Sequence, residues 1–167
     1  METIAVYWEP RIKTYGFTKV RGLSLIKFGL SSAQMSEAGL ELWRLGDAGV
    51  EFYLILGQDL GGQGLSMQML IRDQWEQKIV ECVEQVISRE PGGVINVIPS
   101  VGLIHFYGPH FGDRYGIADT VFDALAKGDV PLLAAGCSAS SIYLVFPEER
   151  LSESEKILSE VFELPGS

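Results

Sequence analysis

Short apolar runs alternate with amphipathic ones along this chain, and the alternation occurs twice. The stretch LSLIKFGLSSAQMSEAGLELWRLGDAGVEF, from Leu23 to Phe52, parallels GLIHFYGPHFGDRYGIADTVFDALAKGDVPLL, from Gly102 to Leu133. Each opens as an apolar strand ending in Phe-Gly or Phe-Tyr-Gly, crosses a polar loop, continues as an amphipathic helix and turns before a valine. Leu42, Leu45 and Ala48 carry the helical spacing in the first copy, and Ile117, Val121, Phe122 and Leu125 carry it in the second. The copies lie roughly 80 residues apart, which makes a duplicated module and not a solenoid of short repeats.

Each copy then continues as strand, strand and helix. In the first, VEFYLILG and LSMQMLI are joined by the glycine-rich QDLGGQG, a hairpin signal. Asp73 and Glu76 predict a capping box ahead of WEQKIVECVEQVI, and Ser152 with Glu155 predicts another before KILSEVF. The order β-α-β-β-α, closed by one further strand, is a ferredoxin-like unit: an α+β fold, βαββαβ, with an antiparallel sheet and helices on one face. GGVINVIPS, from Gly92 to Ser100, supplies the closing strand of the first copy. After Phe162 only ELPGS remains, too short and too poor in β-formers to close the second. The run from Glu2 to Trp8 is therefore expected to complete it. This predicts a first module over residues 20–100, inserted into a second made of residues 1–9 and 101–167.

The composition supports folded modules. Of 167 residues 47% are hydrophobic, and no stretch reads as disordered. The apolar runs are too short to cross a bilayer, and Glu2, Glu9 and Arg11 interrupt any secretory signal. Cys82 and Cys137 suggest neither a disulfide framework nor a zinc site, so a cytoplasmic protein away from membranes is expected. The formal net charge of −9 argues against nucleic acid as a partner. Between Pro10 and Ser36 there is no acidic residue, while Arg11, Lys13, Lys19, Arg21 and Lys27 fall within that span. A lysine-guarded edge ribbon explains this better than a docking patch for an acidic partner.

Catalytic chemistry is hard to assemble. A phosphate loop needs a lysine and a hydroxyl after its last glycine, but Ile117, Ala118 and Asp119 follow Gly116. GCSASS, from Gly136 to Ser141, would need His105 or His110 and a carboxylate to make a triad. His105 sits inside a strand pattern and His110 in a loop, and Cys82 continues the apolar stripe of Trp75, Ile79, Val83 and Val86. No enzyme, cofactor or metal is expected. A binding site is easier to build: the amides of Gly116, Ile117 and Ala118 at a helix start favour one carboxylate, and Asp113 can receive an ammonium. The plainer alternative is that Asp113 caps the turn.

GPHFGDRYGIADTVFDAL and KGDVPLLAAGCSASSIYLVF, best across Gly108 to Val145, resemble the ACT-domain family, specifically the tandem ACT regulatory region of aspartate kinases. The resemblance extends more weakly over the first copy. It implies allosteric regulation by a free amino acid, commonly lysine or threonine, bound between paired modules. It further implies contacts from the loop after the first strand of one module and the second strand of its neighbour. Carried onto this chain, one site comprises Leu30, Ser31, Ser32, Gln34 and Met35 with Val130, Pro131 and Leu132. The other comprises His110, Phe111, Gly112, Asp113, Arg114, Tyr115, Gly116, Ile117 and Ala118 with Val50, Glu51 and Phe52. The chain departs from the pattern where LSSAQMS lacks the usual Asp and Pro-Gly step, where Pro131 replaces an asparagine, and where Tyr53 replaces an acid. With no kinase domain in the sequence, the chain is either a stand-alone regulatory subunit or sensor or a fragment of a larger chain, and a self-contained subunit serving a kinase or other biosynthetic enzyme is expected. Uncovered sheet surface predicts a homodimer. An interaction or dimerisation module with degenerate pockets is the alternative.

Overall fold

A computed structural model describes residues 11–59, 64–88, 94–109 and 111–165. In chain order the elements are β1 (Ile12–Lys13), β2 (Phe17–Leu30), α1 (Met35–Asp47), β3 (Phe52–Asp59), β4 (Leu65–Arg72), α2 (Glu76–Ile87), β5 (Ile95–Tyr107), α3 (Ile117–Lys127), β6 (Ala134–Cys137), β7 (Ser141–Pro147), α4 (Leu151–Val161) and β8 (Phe162–Glu163). Short 3₁₀ turns, Asp73–Trp75 and Glu148–Arg150, lead into α2 and α4. The chain divides into a unit of residues 21–101 and a unit formed by residues up to Val20 together with those from Gly102 onward.

Within the 21–101 unit the strand order is β3-β4-β2-β5. β2 pairs antiparallel with β4 from Leu23↔Arg72 to Leu30↔Leu65, and a bulge between Phe52 and Leu54 bends β3 against β4. The two-residue period places Ile26, Phe28, Leu30, Met69 and Ile71 on the face that meets Leu45 of α1 and Ile79, Val83 and Val86 of α2. α1 ends where Gly49 takes φ 86° and the Val50 N–H reaches back to the Leu45 carbonyl, closing its last turn. The apolar run of β3 is less covered than its sequence suggests: Ile55 is 41% exposed on this edge strand.

The other unit repeats the plan with β6-β7-β5 and, beside β5, the opening residues of β2. The Tyr15 N–H donates to the Tyr107 carbonyl at one end, and the Val20 carbonyl lies against Gly102 at the other, so the two segments run antiparallel. The closing position of this sheet is thus held by residues from Phe17 onward. The Glu2 to Trp8 run expected there lies outside the described residues. Phe17 explains the placement, because its ring meets Phe106 edge-on at 5.0 Å and Phe162 at 6.3 Å. Ile104, Phe106, Ile142, Leu144 and Phe146 meet Ile117, Val121 and Leu125 of α3 and Leu151 and Leu158 of α4 in one core.

Several expectations need correction. The strand over Gly92 to Ser100 and the strand LIHFY are one continuous β5, which passes Pro99 by taking a left-handed turn at Ser100, φ 53°. Neither capping box forms. The Asp73 carboxylate accepts the adjacent Gln74 N–H, the Glu76 carboxylate accepts the Ser24 hydroxyl, and Ser152 is already inside α4. Phe122 is 45% exposed, and Ala124 takes the buried position instead. The chain end is not strandless: Phe162–Glu163 pairs in parallel with Ile12–Lys13. Of the basic stretch, Lys19 forms an ion pair with Glu155 at 2.5 Å, and the edge ribbon expected there is instead part of β2, which lies between β4 and β5 in the sheet order.

Candidate functional site

The loop between β5 and α3 is fixed at both ends by glycine. At Gly108 a side chain would overlap the Lys13 carbonyl and the Phe111 ring, so only glycine lets the loop leave β5 here. At Gly116 the space is open but φ is 84°, a left-handed conformation that starts α3 abruptly. Phe111 is buried and meets Phe106 edge-on, anchoring the loop from beneath. Helix α3 has no side-chain cap, although the Gly116 carbonyl accepts both the N–H and the hydroxyl of Thr120.

Facing this loop is the tight turn that joins β6 to β7. The Ser138 N–H donates to the Ser141 carbonyl, and Ser138 Oγ accepts the N–H groups of Ser140 and Ser141. Between loop and turn lies an open cleft of about 250 Å³. Its lining is Phe111, Arg114, Tyr115, Gly116, Ile117 and Ala118 on one side and Cys137, Ser138 and Ile142 on the other. Tyr115 is 97% exposed at the rim. The Cys137 residue is exposed, and partial desolvation raises its thiol pKa above the ordinary value.

Six of the predicted loop residues line this cleft, Phe111 and those from Arg114 to Ala118. Gly112 and Asp113 belong to the loop but not to the lining, and His110 lies outside the described residues. Arg114 therefore stands at the cleft where Asp113 was expected to receive an ammonium. The wall of Cys137, Ser138 and Ile142 was not selected from sequence as part of a binding site. The short polar residues of GCSASS were the available signal. Val130, Pro131 and Leu132 lie in the same unit between α3 and β6, with Val130 buried in its core.

In the 21–101 unit, Gln34 is buried, with both ends of its side-chain amide engaged. Its carbonyl accepts the Ser31 N–H at 2.9 Å, and its NH₂ donates to the Val86 and Ile87 carbonyls at 3.1 and 3.5 Å. Those carbonyls are two of the orphan acceptors at the end of α2, so Gln34 works as a cap supplied from another helix's entry. Ser32 and Met35 are exposed, Val50 is buried against the core, and Glu51 precedes β3, which begins at Phe52. A cavity lined by Phe28, Leu42, Met67, Cys82 and Val83, among others, holds about 20 Å³, room for a single water and not for an amino acid.

His105 sits on the sheet face turned away from α3 and α4. Its ring stacks on Tyr143 at 4.4 Å, and its buried Nε2 has no hydrogen-bond partner. Burial lowers its pKa, so the neutral form is favoured. Among the described residues no helix is long and apolar enough to cross a membrane.

No family model matches the sequence, and no curated protein matches it either. Solved structures do. The regulatory subunit of aspartate kinase from Thermus thermophilus is similar over 90% of this chain and 99% of its own, with 17% identity and a TM-score of 0.75. Aspartate kinase from Synechocystis matches 92% of this chain with 27% of its own, at 15% identity and a TM-score of 0.79. E. coli aspartokinase III in complex with lysine and aspartate matches 94% of this chain with 35% of its own, at 15% identity and a TM-score of 0.60. At these identities the likeness establishes the fold: a tandem ACT arrangement like that of aspartate kinase regulatory regions.

Proposed function

We propose that this chain is a non-catalytic regulatory module that binds a free amino acid in the cleft between the Phe111–Ala118 loop and the Cys137–Ser138 turn. The observation that carries the reading is the lining itself. One guanidinium, Arg114, and the uncapped amide end of α3 converge on a cleft of about 250 Å³, sized for a small ligand. Both groups favour a carboxylate. Asp119 in the first turn of α3 disfavours a second anion, so a neutral or basic amino acid fits better than an acidic one. The likeness to aspartokinase III, solved with lysine and aspartate, supports the same class of ligand. Regulation follows by linkage, since a ligand held by a loop from one strand and a turn from two others stabilises their arrangement. The partner regulated is a kinase or another biosynthetic enzyme.

A thermal-shift screen of the free amino acids tests this. At a concentration about 100 times its dissociation constant, the ligand should stabilise the fold by about 2.7 kcal/mol. Arg114→Ala should cut the shift to about half or less, as a tenfold or greater loss of affinity requires. A shift that survives Arg114→Ala undiminished would move the site elsewhere.

A further inference from the structure

The cleft between the Phe111–Ala118 loop and the Cys137–Ser138 turn offers a ligand donors on one side and an apolar floor. Phe111, Ile117 and Ile142 form that floor, and all three are buried in the core of this unit. Packing in the core fixes both its shape and its apolar character. The polar atoms of the turn and of the helix entry are already used. Ser138 Oγ accepts the Ser140 and Ser141 N–H groups at 3.3 and 3.0 Å and donates to the Ser141 carbonyl at 3.2 Å. A hydroxyl has one proton and two lone pairs, so this one has nothing left for a ligand. The Gly116 carbonyl accepts both the N–H and the hydroxyl of Thr120, at 2.9 and 3.0 Å, which fills its two lone pairs. Tyr115 is exposed at the rim and adds no polar group to the floor.

Charge points the same way. Among the described residues no carboxylate lines the cleft, and the Cys137 thiol, its pKa raised, is uncharged at neutral pH. The Arg114 guanidinium and the amide end of α3 are both positive. Building on the reading that these two hold an amino acid's own carboxylate, we infer that the ligand's side chain is wholly apolar. An aliphatic or thioether chain seats on Phe111, Ile117 and Ile142. Lysine is disfavoured, because its side-chain ammonium meets the positive field of Arg114 or returns to water and gains nothing from the site. Threonine is disfavoured, because its hydroxyl gives up water and finds both Ser138 Oγ and the Gly116 carbonyl occupied. The cleft thereby selects against both amino acids that the resemblance to aspartate kinases implies.

Two matched pairs test this by isothermal titration of the full chain: norleucine against lysine, and valine against threonine. Norleucine lacks lysine's terminal ammonium, and valine has a methyl where threonine has a hydroxyl, so each pair isolates one polar group. The apolar member of each pair should bind at least about tenfold tighter than the polar one. Cys137→Asp, at an exposed position on the wall, supplies the missing carboxylate. Whatever it does to both affinities, it should narrow the gap between norleucine and lysine by about tenfold or more. Equal affinities within either pair, or tighter binding of lysine or threonine, would overturn the inference and leave the site in place. A gap unmoved by Cys137→Asp would put the side chain elsewhere and overturn it as well. Silence from all four amino acids would remove the site itself, and the inference with it.

Discussion

Gly116 and Asp129 bracket α3 with the same backbone sign, φ 84° and 50°, but only one of them is a glycine. Alanine at Gly116 would meet no neighbour, so its cost is conformational alone, about 1–2 kcal/mol, and urea unfolding of Gly116→Ala should read that loss. Asp129 occupies the position that Gly49 holds after α1, and the Val130 N–H closes the turn to Leu125 just as Val50 does to Leu45. Asp129→Gly should therefore stabilise the protein by about 0.5–1 kcal/mol, measured the same way. Gln34→Ala should cost about 1–3 kcal/mol, because it strands the buried carbonyls of Val86 and Ile87. These roles were unequally legible. The glycines announced a turn into a helix, but no local pattern marks Gln34 as a cap for a helix fifty-odd positions away. Asp113 and Arg114 are neighbours, and which of them lines the cleft depends on how the loop turns over Phe111, a packing fact invisible to residue type.

At the scale of elements, the strand β5 and the segment before β2 decide how the C-terminal unit closes. Ile12 is buried in that unit's core, Thr14 donates its N–H to the Glu163 carbonyl, and Phe17 packs on Phe106. Removing residues 1–16 should expose the Phe106–Phe162 cluster and weaken hydrogen-exchange protection in β5 and β7 more than in β4. Equal protection in all three would mean the segment is dispensable. The βαββαβ order was readable because each helix carries a clean apolar stripe and each hairpin a glycine signal. Strand ends were not. Two strands read as separate are one, since Pro99 suggests a break that a left-handed Ser100 accommodates. A two-residue strand such as Phe162–Glu163 exists only through its partner Ile12–Lys13, and long-range pairing leaves no local trace. His105 adds a pH dependence to this same sheet. Its folded pKa lies below the ordinary 6.5 because burial penalises the imidazolium, so the unfolded chain binds the proton more tightly. The stabilisation is present above about pH 6.5 and is lost as pH falls through that value toward the folded pKa. His105→Phe should flatten the melting-temperature profile below about pH 6.5.

For the whole molecule, two ferredoxin-like units carry the fold, and the function we propose for them is to hold a ligand and pass on its presence. The units were legible as repeats, and the ligand was not, because backbone amides and one guanidinium recognise a carboxylate without naming what is attached to it. The direct measurement is isothermal titration of the full chain with each free amino acid, beside the same titrations of Arg114→Ala. The reading predicts saturable binding of a neutral or basic amino acid, weakened about tenfold or more by the substitution, which corresponds to at least about 1.4 kcal/mol. Heats no larger than dilution for every amino acid at millimolar concentration would contradict it and leave the chain as a module for protein contact alone.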